Sequence, residues 1–186
     1  MNIIETKLPG LFLIEPKVFA DDRGYFFESY NESLFKENGL DYSFVQDNES
    51  MSSYGVIRGL HYQLAPYSQA KLIRVLEGAI LDVAVDIREN SPTFGQWQGF
   101  EISGENKKQL LIPRGFAHGF SVLSKKVVFI YKCDNLYFPE ADRGINFADK
   151  SLNIDWGIDT GKALVSPKDK ILPSFGDAEK NFIFNQ

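Results

Sequence analysis

The chain has 186 residues and carries 20 Lys and Arg against 25 Asp and Glu, a formal net charge of −5. That length suits a single domain, 1–186, with a sizeable core, and the acidic balance argues against a general nucleic-acid binder, which would carry a basic face. The one cysteine, Cys133, cannot close an internal disulfide, the first residues lack a basic leader, and no run approaches about 18 apolar residues, so a cytoplasmic chain with no membrane partner is expected.

Taken in order, Leu11 to Pro16 and Tyr25 to Tyr30 read as strands around the turn residues Ala-Asp-Asp-Arg-Gly (20–24). Asn31 to Gly39 has the form of a short helix, with Asn31 as N-cap and Gly39 as stop. Residues 43–46 resume an extended run that delivers Gln46, Asp47 and Asn48. Next come Gly-Val-Ile-Arg-Gly-Leu-His-Tyr-Gln (55–63), a polar loop, and two aliphatic runs, 71–78 and 79–86. The break at Glu77-Gly78 predicts paired strands meeting at a tight turn. Ser-Pro-Thr-Phe-Gly (91–95) is a loop, and Trp97 to Ser103 a strand. Gln109 to Ile112 and Val127 to Cys133 are strands separated by Pro-Arg-Gly-Phe-Ala-His-Gly-Phe (113–120). After Pro139 the pattern loosens. Residues 151–156 predict at most a helical turn, and the tail from Leu164 shows no clear element. Eight or more short strands, little helix and sixteen Phe indicate an antiparallel sandwich or barrel.

Strand alternation says which side chains share a face. Val127, Phe129, Tyr131 and Cys133 fall together, with Cys133 read as a small buried hydrophobe. Lys71 falls with Ile73 and Val75, and His61 with Gln63. Arg58 would point away from His61 in a regular strand, so both reach one pocket only if a bulge lies near Gly59. Basic groups gathered on apolar strands suggest a pocket for an anion, because charged residues are rarely buried unless paired or used. Asp82 and Asp86 read as structural.

Pro113-x-Gly115-x-x-His118 resembles the second half of the cupin signature, and Gly55 followed by His61 the first half. This implies an all-β fold, the cupin double-stranded β-helix or jelly-roll with a few short helices. Most cupins bind a metal through three His and a Glu. Here Gln63 takes the place of the second His, and Tyr67 and Ser68 lie near the place of the Glu, so no metal is expected.

The resemblance then narrows. Asp-Arg-Gly-Tyr-Phe-Phe-Glu (22–28), Gln-Asp-Asn (46–48), residues 55–63, Asp-Val-Ala-Val-Asp-Ile-Arg (82–88), residues 91–95, Ile-Pro-Arg-Gly-Phe-Ala-His-Gly-Phe (112–120) and Ser-Pro-Lys-Asp (166–169) fall in the order of the nucleotide-sugar epimerase family of dTDP-4-dehydrorhamnose 3,5-epimerases. The resemblance implies a homodimer acting on a dTDP-linked 4-keto-6-deoxy sugar without a cofactor. It implies His61 as base paired with Asp169, Tyr131 as acid, and Lys71 beside the oxygen that becomes an enolate. Arg23, Arg58 and Lys168 match positions that grip the diphosphate. Glu28, Gln46, Asp47, Asn48 and His118 match polar contacts, and Phe26 and Tyr137 match the enclosure of the thymine. A further contact is expected near 140–144, where Glu140, Asp142 and Arg143 compete; Arg143 is the choice made here. An N-terminal strand is expected to cross to the partner, carrying Phe26 and Glu28 into its site. A single-centre epimerase, a metal-dependent cupin and a non-catalytic sugar-binding jelly-roll are the rivals.

Overall fold

A computed structural model describes residues 1–184. Two antiparallel sheets face each other. The first has six strands in the order β1 (Asn2–Glu5), β2 (Phe12–Glu15), β10 (Gln109–Ile112), β7 (Lys71–Glu77), β12 (Lys126–Cys133), β5 (Gln46–Ser53). The second has five, β13 (Asp142–Gly144), β6 (Ile57–Gln63), β11 (Phe116–Val122), β8 (Ala79–Asp86), β9 (Trp97–Ser103). This is the expected jelly-roll. β3 (Phe19–Asp21) and β4 (Gly24–Phe26) form a separate two-stranded ribbon.

Alternation places the core. Ile73, Val75, Phe129 and Val127 from the six-stranded sheet meet Ile80, Ala84, Phe116, Phe120 and Val122 from the five-stranded sheet. The outer face of the six-stranded sheet is covered by α1 (Glu32–Glu37) and the segment after it, through Phe35 and Leu40 on Ile14, Leu72 and Leu111. Asn31 caps α1 as expected, its side chain accepting from the Leu34 N–H. The outer face of the five-stranded sheet is covered by the loosely patterned C-terminal chain, with Ile145, Leu152, Trp156 and Phe182 on Ile57, Leu60, Val83 and Val85. Trp156 is 1% exposed and its ring N–H donates to the Phe147 carbonyl. Fully burying a side chain of this kind contributes roughly 2–3 kcal/mol, so this cover is held by core packing despite its lack of regular elements.

Several expectations need correction. β7 and β8 do not pair: at Gly78 (φ +81) the chain leaves one sheet for the other, and a Cβ there would lie 2.1 Å from the Lys126 carbonyl oxygen. Residues 113–120 are not simply a connection, since β11 begins at Phe116 and is buried along its whole length. The expected strand over 25–30 stops at Phe26. The polar run Gln46–Ser53 is an eight-residue strand, β5, paired along its length with β12. It sits at a sheet edge, where one side of the ladder faces solvent and polar composition is tolerated. The tail forms one short helix, α2 (Pro167–Lys170), capped by Ser166.

Candidate active site

The bulge required by Arg58 and His61 is present. On β11 two steps separate His118 from Phe120, while their partners on β6, His61 and Arg58, are three apart. Gly59 takes φ +117 there, and a Cβ on it would lie 2.6 Å from the Gly119 Cα. The extra residue turns Arg58 to the same side as His61, and both line a cleft of about 320 Å³ between the sheets. Asn48, Ser50, Lys71 and Tyr131 line it from the six-stranded sheet, and His118 from the five-stranded one. A second groove of about 590 Å³, lined by Leu164, Ser166, Lys168 and Asp169, adjoins it at Arg58 and His61.

His61 meets Asp169 through Nε2 at 2.9 Å. An ionised carboxylate only accepts, so Nε2 carries the proton and Nδ1 keeps a lone pair. The His61 side chain is 32% exposed and that of Asp169 is 4% exposed. The bulge helps here as well, since the Gly59 N–H donates to the other Asp169 oxygen at 3.1 Å. Burial works against charge on Asp169, yet the His61 bond and charge and the Gly59 N–H hold its pKa below the usual carboxylate value.

Tyr131 belongs to the opposite sheet. Its ring stacks on Phe129 at 5.5 Å between centroids, and burial pushes its hydroxyl pKa up, so it stays protonated at neutral pH. Lys71 Nζ lies 5.9 Å from the centroid of the Tyr131 ring. Burial pulls the Lys71 pKa down, opposed by Cys133, Asp142 and Asp82. Cys133 is fully buried as expected, and burial lifts its thiol to about 11.

His118 forms a second His–carboxylate pair, Nε2 to Asp82 at 2.6 Å, with Asp82 wholly buried. Asp82 is therefore part of the site's surroundings, contrary to the purely structural reading. Burial lowers the His118 pKa against the pull of Asp82, leaving a neutral ring. Asp86 is structural as expected: it accepts from Arg88, Ser91 and Thr93.

Other expected residues lie around the cleft. Arg58 is held by the Ser52 hydroxyl at 3.0 Å and the Met51 carbonyl. Gln46 and Asn48 face inward on β5 and bond each other at 3.1 Å. Asp47 does not join them: it points to the outer face and pairs with Lys132 at 3.0 Å. Arg143 is also misplaced. It pairs with Glu179 at 2.7 Å, whereas Asp142, one step along β13, bonds both Lys168 and the Tyr137 hydroxyl. Alternation on β13 separates the two, and Asp142 is the one that faces Lys168 and Tyr137. Tyr137 is 54% exposed. Arg23, Phe26 and Glu28 do not line the His61 cleft of their own chain; Arg23 pairs with Asp21, and Phe26 is 71% exposed on the ribbon. Ser50 was missed, although stepping by two from Asn48 along a strand would have found it. Its hydroxyl is buried and without a partner among the described residues.

His61 and Tyr131 thus stand on facing sheets of one cleft that Lys71 also lines, with no group of three or more His, Cys, Asp or Glu placed to hold a metal among the described residues. A jelly-roll so equipped is an epimerase of the cupin type, built to exchange protons on two faces of one carbon. Residues 5–177 match the family described as dTDP-4-dehydrorhamnose 3,5-epimerase. The chain is 53% identical over 180 residues to the dTDP-4-dehydrorhamnose 3,5-epimerase of Shigella flexneri, covering 96% of this chain and 98% of the relative. The crystal structure of the enzyme of that name from Elizabethkingia anophelis superimposes with a TM-score of 0.92 at 54% identity, covering 95% of this chain and 97% of that one. The dTDP-6-deoxy-D-glucose-3,5-epimerase of Legionella pneumophila, in complex with dTDP-4-keto-L-rhamnose, superimposes with a TM-score of 0.90 at 49% identity, covering 95% and 93%. The chain belongs to the dTDP-4-dehydrorhamnose 3,5-epimerase family.

Proposed function

We propose that this chain inverts C3 and C5 of dTDP-4-dehydro-6-deoxy-D-glucose to give dTDP-4-dehydro-L-rhamnose, a step of dTDP-L-rhamnose formation in the cytoplasm. The observation that carries this reading is the placement of His61 and Tyr131 on facing sheets of one cleft. His61 Nδ1 takes the proton from the carbon beside the ketone, and Asp169 steadies the imidazolium that results. The electrons move onto the ketone oxygen, and Lys71 stabilises the enolate there. Tyr131 returns a proton to the carbon from the other face, so the configuration inverts. The sugar turns between the two centres while the diphosphate stays held by Arg58, Lys168 and an Arg23.

That Arg23 comes from a second copy. The ribbon β3–β4 carries Phe19, Tyr25 and Phe26 at 54%, 59% and 71% exposure, and in its own chain it stays outside the cleft. A homodimer that seats this ribbon beside the partner's cleft would cover the apolar surface and complete the site with Arg23, Phe26 and Glu28. Mixing His61→Asn chains with Arg23→Ala/Phe26→Ala chains then regenerates one intact site per hybrid dimer, so activity reappears on mixing. A full-activity monomer by light scattering would overturn the shared site.

Turnover in D₂O tests the reaction itself. Deuterium at both C3 and C5 of the product is expected by NMR. Label at one carbon alone would make the chain a single-centre epimerase, and no label would remove the activity.

A further inference from the structure

Gln63 lies two residues beyond His61, on the same face of β6, and is 4% exposed. Its amide is fully engaged with backbone. Nε2 donates to the Tyr67 carbonyl at 2.6 Å and to the Leu136 carbonyl at 3.2 Å, and Oε1 accepts from the Phe138 N–H at 2.7 Å. Two of these three bonds bracket Tyr137. The residue between them is fixed from the other sheet, its N–H donating to Gln46 Oε1 at 3.0 Å. Phe138 is pinned in turn by a stack on Tyr67 with centroids 3.9 Å apart. The backbone on both sides of Tyr137 is therefore clamped, while its ring remains exposed.

A buried primary amide that satisfies both donors and its acceptor on two neighbouring loops is costly to replace. A hydrophobe of similar size would leave the Leu136 and Tyr67 carbonyls and the Phe138 N–H without partners. Gln63 also ties the 136–138 segment to the strand that carries His61, and so contributes to where Tyr137 sits relative to it.

We infer that Gln63 is a positioning residue for nucleotide recognition: it holds the Tyr137 ring at the level where a pyrimidine base stacks while the sugar reaches His61. This rests on the proposed function, with Tyr137 taken to face the nucleotide base as the family resemblance implies. It accounts for an amide at this place on the strand, since an imidazole cannot both donate to two carbonyls and accept from the Phe138 N–H.

The test is a double-mutant cycle on dTDP affinity, measured by calorimetry on the full chain with Gln63→Leu, Tyr137→Ala and the pair. Loss of a base–aromatic stack weakens binding by roughly 10-fold or more, and Tyr137→Ala shows this directly. Gln63→Leu is expected to weaken dTDP by about 5-fold or more, with a rise in KM and with kcat within about 2-fold of the parent. In the Tyr137→Ala background it should cost almost nothing further, because no ring is left to position. Equal losses in both backgrounds would overturn the inference and leave Gln63 a structural residue. If Tyr137→Ala leaves dTDP affinity unchanged, the nucleotide-facing reading of Tyr137 falls and the inference with it. Should Gln63→Leu not fold, Gln63→Glu serves: it accepts from Phe138 but cannot donate to the two carbonyls, and the same non-additivity is expected.

Discussion

Asp169→Asn separates the charge of the dyad from its shape. The substitution keeps the size of a side chain that is 4% exposed, and an amide oxygen can still accept from the His61 Nε2–H. What disappears is the negative charge that favours the imidazolium formed once His61 has taken the proton, together with the acceptor of the Gly59 N–H, whose loss folding stability reports separately from kcat. A hydrogen bond to a charged group contributes about 1.5–3 kcal/mol against roughly 1 for a neutral one, and loss of the orienting preference for one tautomer adds to the difference. A total of about 2–3 kcal/mol raises the barrier only after proton transfer begins, so kcat should fall roughly 30- to 200-fold with KM little changed. Steady-state turnover, coupled to solvent-deuterium uptake at C3 and C5, measures both the rate and the step affected. A variant within about 3-fold of the parent would refute the role of Asp169.

The same substitution has a signature in stability. The Asp169 pKa is lower in the folded chain than its ordinary value of 3.8. Between those two values the unfolded chain binds more protons, so stability rises with pH through that window. The contribution is fully present above the ordinary carboxylate range and is lost as pH falls through the folded value. Parent and Asp169→Asn should therefore diverge in denaturant midpoint above the ordinary carboxylate range and approach each other as pH falls below it. Parallel profiles across that range would contradict a depressed pKa.

Three further outcomes are expected. Tyr131→Phe should keep solvent exchange at one or both carbons but lose inversion, because the base remains while the donor on the facing sheet is gone; NMR of the recovered sugar distinguishes the two. Asp86→Ala should destabilise by about 3–5 kcal/mol by stranding Arg88, 12% exposed, among Phe116 and Phe184, which thermal melting reads as a loss of roughly 6–20 °C. Turnover should survive exhaustive dialysis against EDTA, since the Gln63 amide is committed to backbone partners; restoration by one divalent ion after a loss would reverse that reading.

The parts of the molecule legible in the sequence are those where alternation and burial agree. Val127, Phe129 and Tyr131 share a face because side chains alternate along a strand, and the same count places Lys71 with Ile73 and Val75. The Gly59 bulge is deducible because Arg58 and His61, expected in one pocket, stand an odd number of residues apart. β5 was not legible: Gln46–Ser53 holds one apolar side chain, Met51, so no periodicity announces a strand. β11 was hidden for the opposite reason, since a central strand buried on both faces has no alternation to read and its glycines resemble a turn. Asp47 and Arg143 were chosen by proximity to a motif, and strand parity turned both away. The separation of β7 from β8 is a matter of topology. A glycine after a strand marks a reversal or a change of sheet equally well.

The cations assigned to the diphosphate explain how an acidic chain can offer an anion site. None of the three stands free in this structure. Lys168 meets Asp142, Arg23 meets Asp21, and Arg58 rests on the Ser52 hydroxyl and the Met51 carbonyl. The Asp142 side chain is 14% exposed, and its hydrogen bond and charge raise the Lys168 pKa. On the proposed reading, a diphosphate has to replace a carboxylate at Lys168 and at Arg23, and it gains there only the difference between its own contacts and theirs. Arg23 and Asp21 are exposed at 90% and 52%, so their pair is screened and easily exchanged. The Lys168–Asp142 pair is less exposed and is tied to the Tyr137 hydroxyl. Under the proposed reading, a diphosphate that draws Lys168 away from Asp142 also disturbs the Tyr137 hydroxyl bond, while the Gln63 and Gln46 bonds hold the Tyr137 backbone.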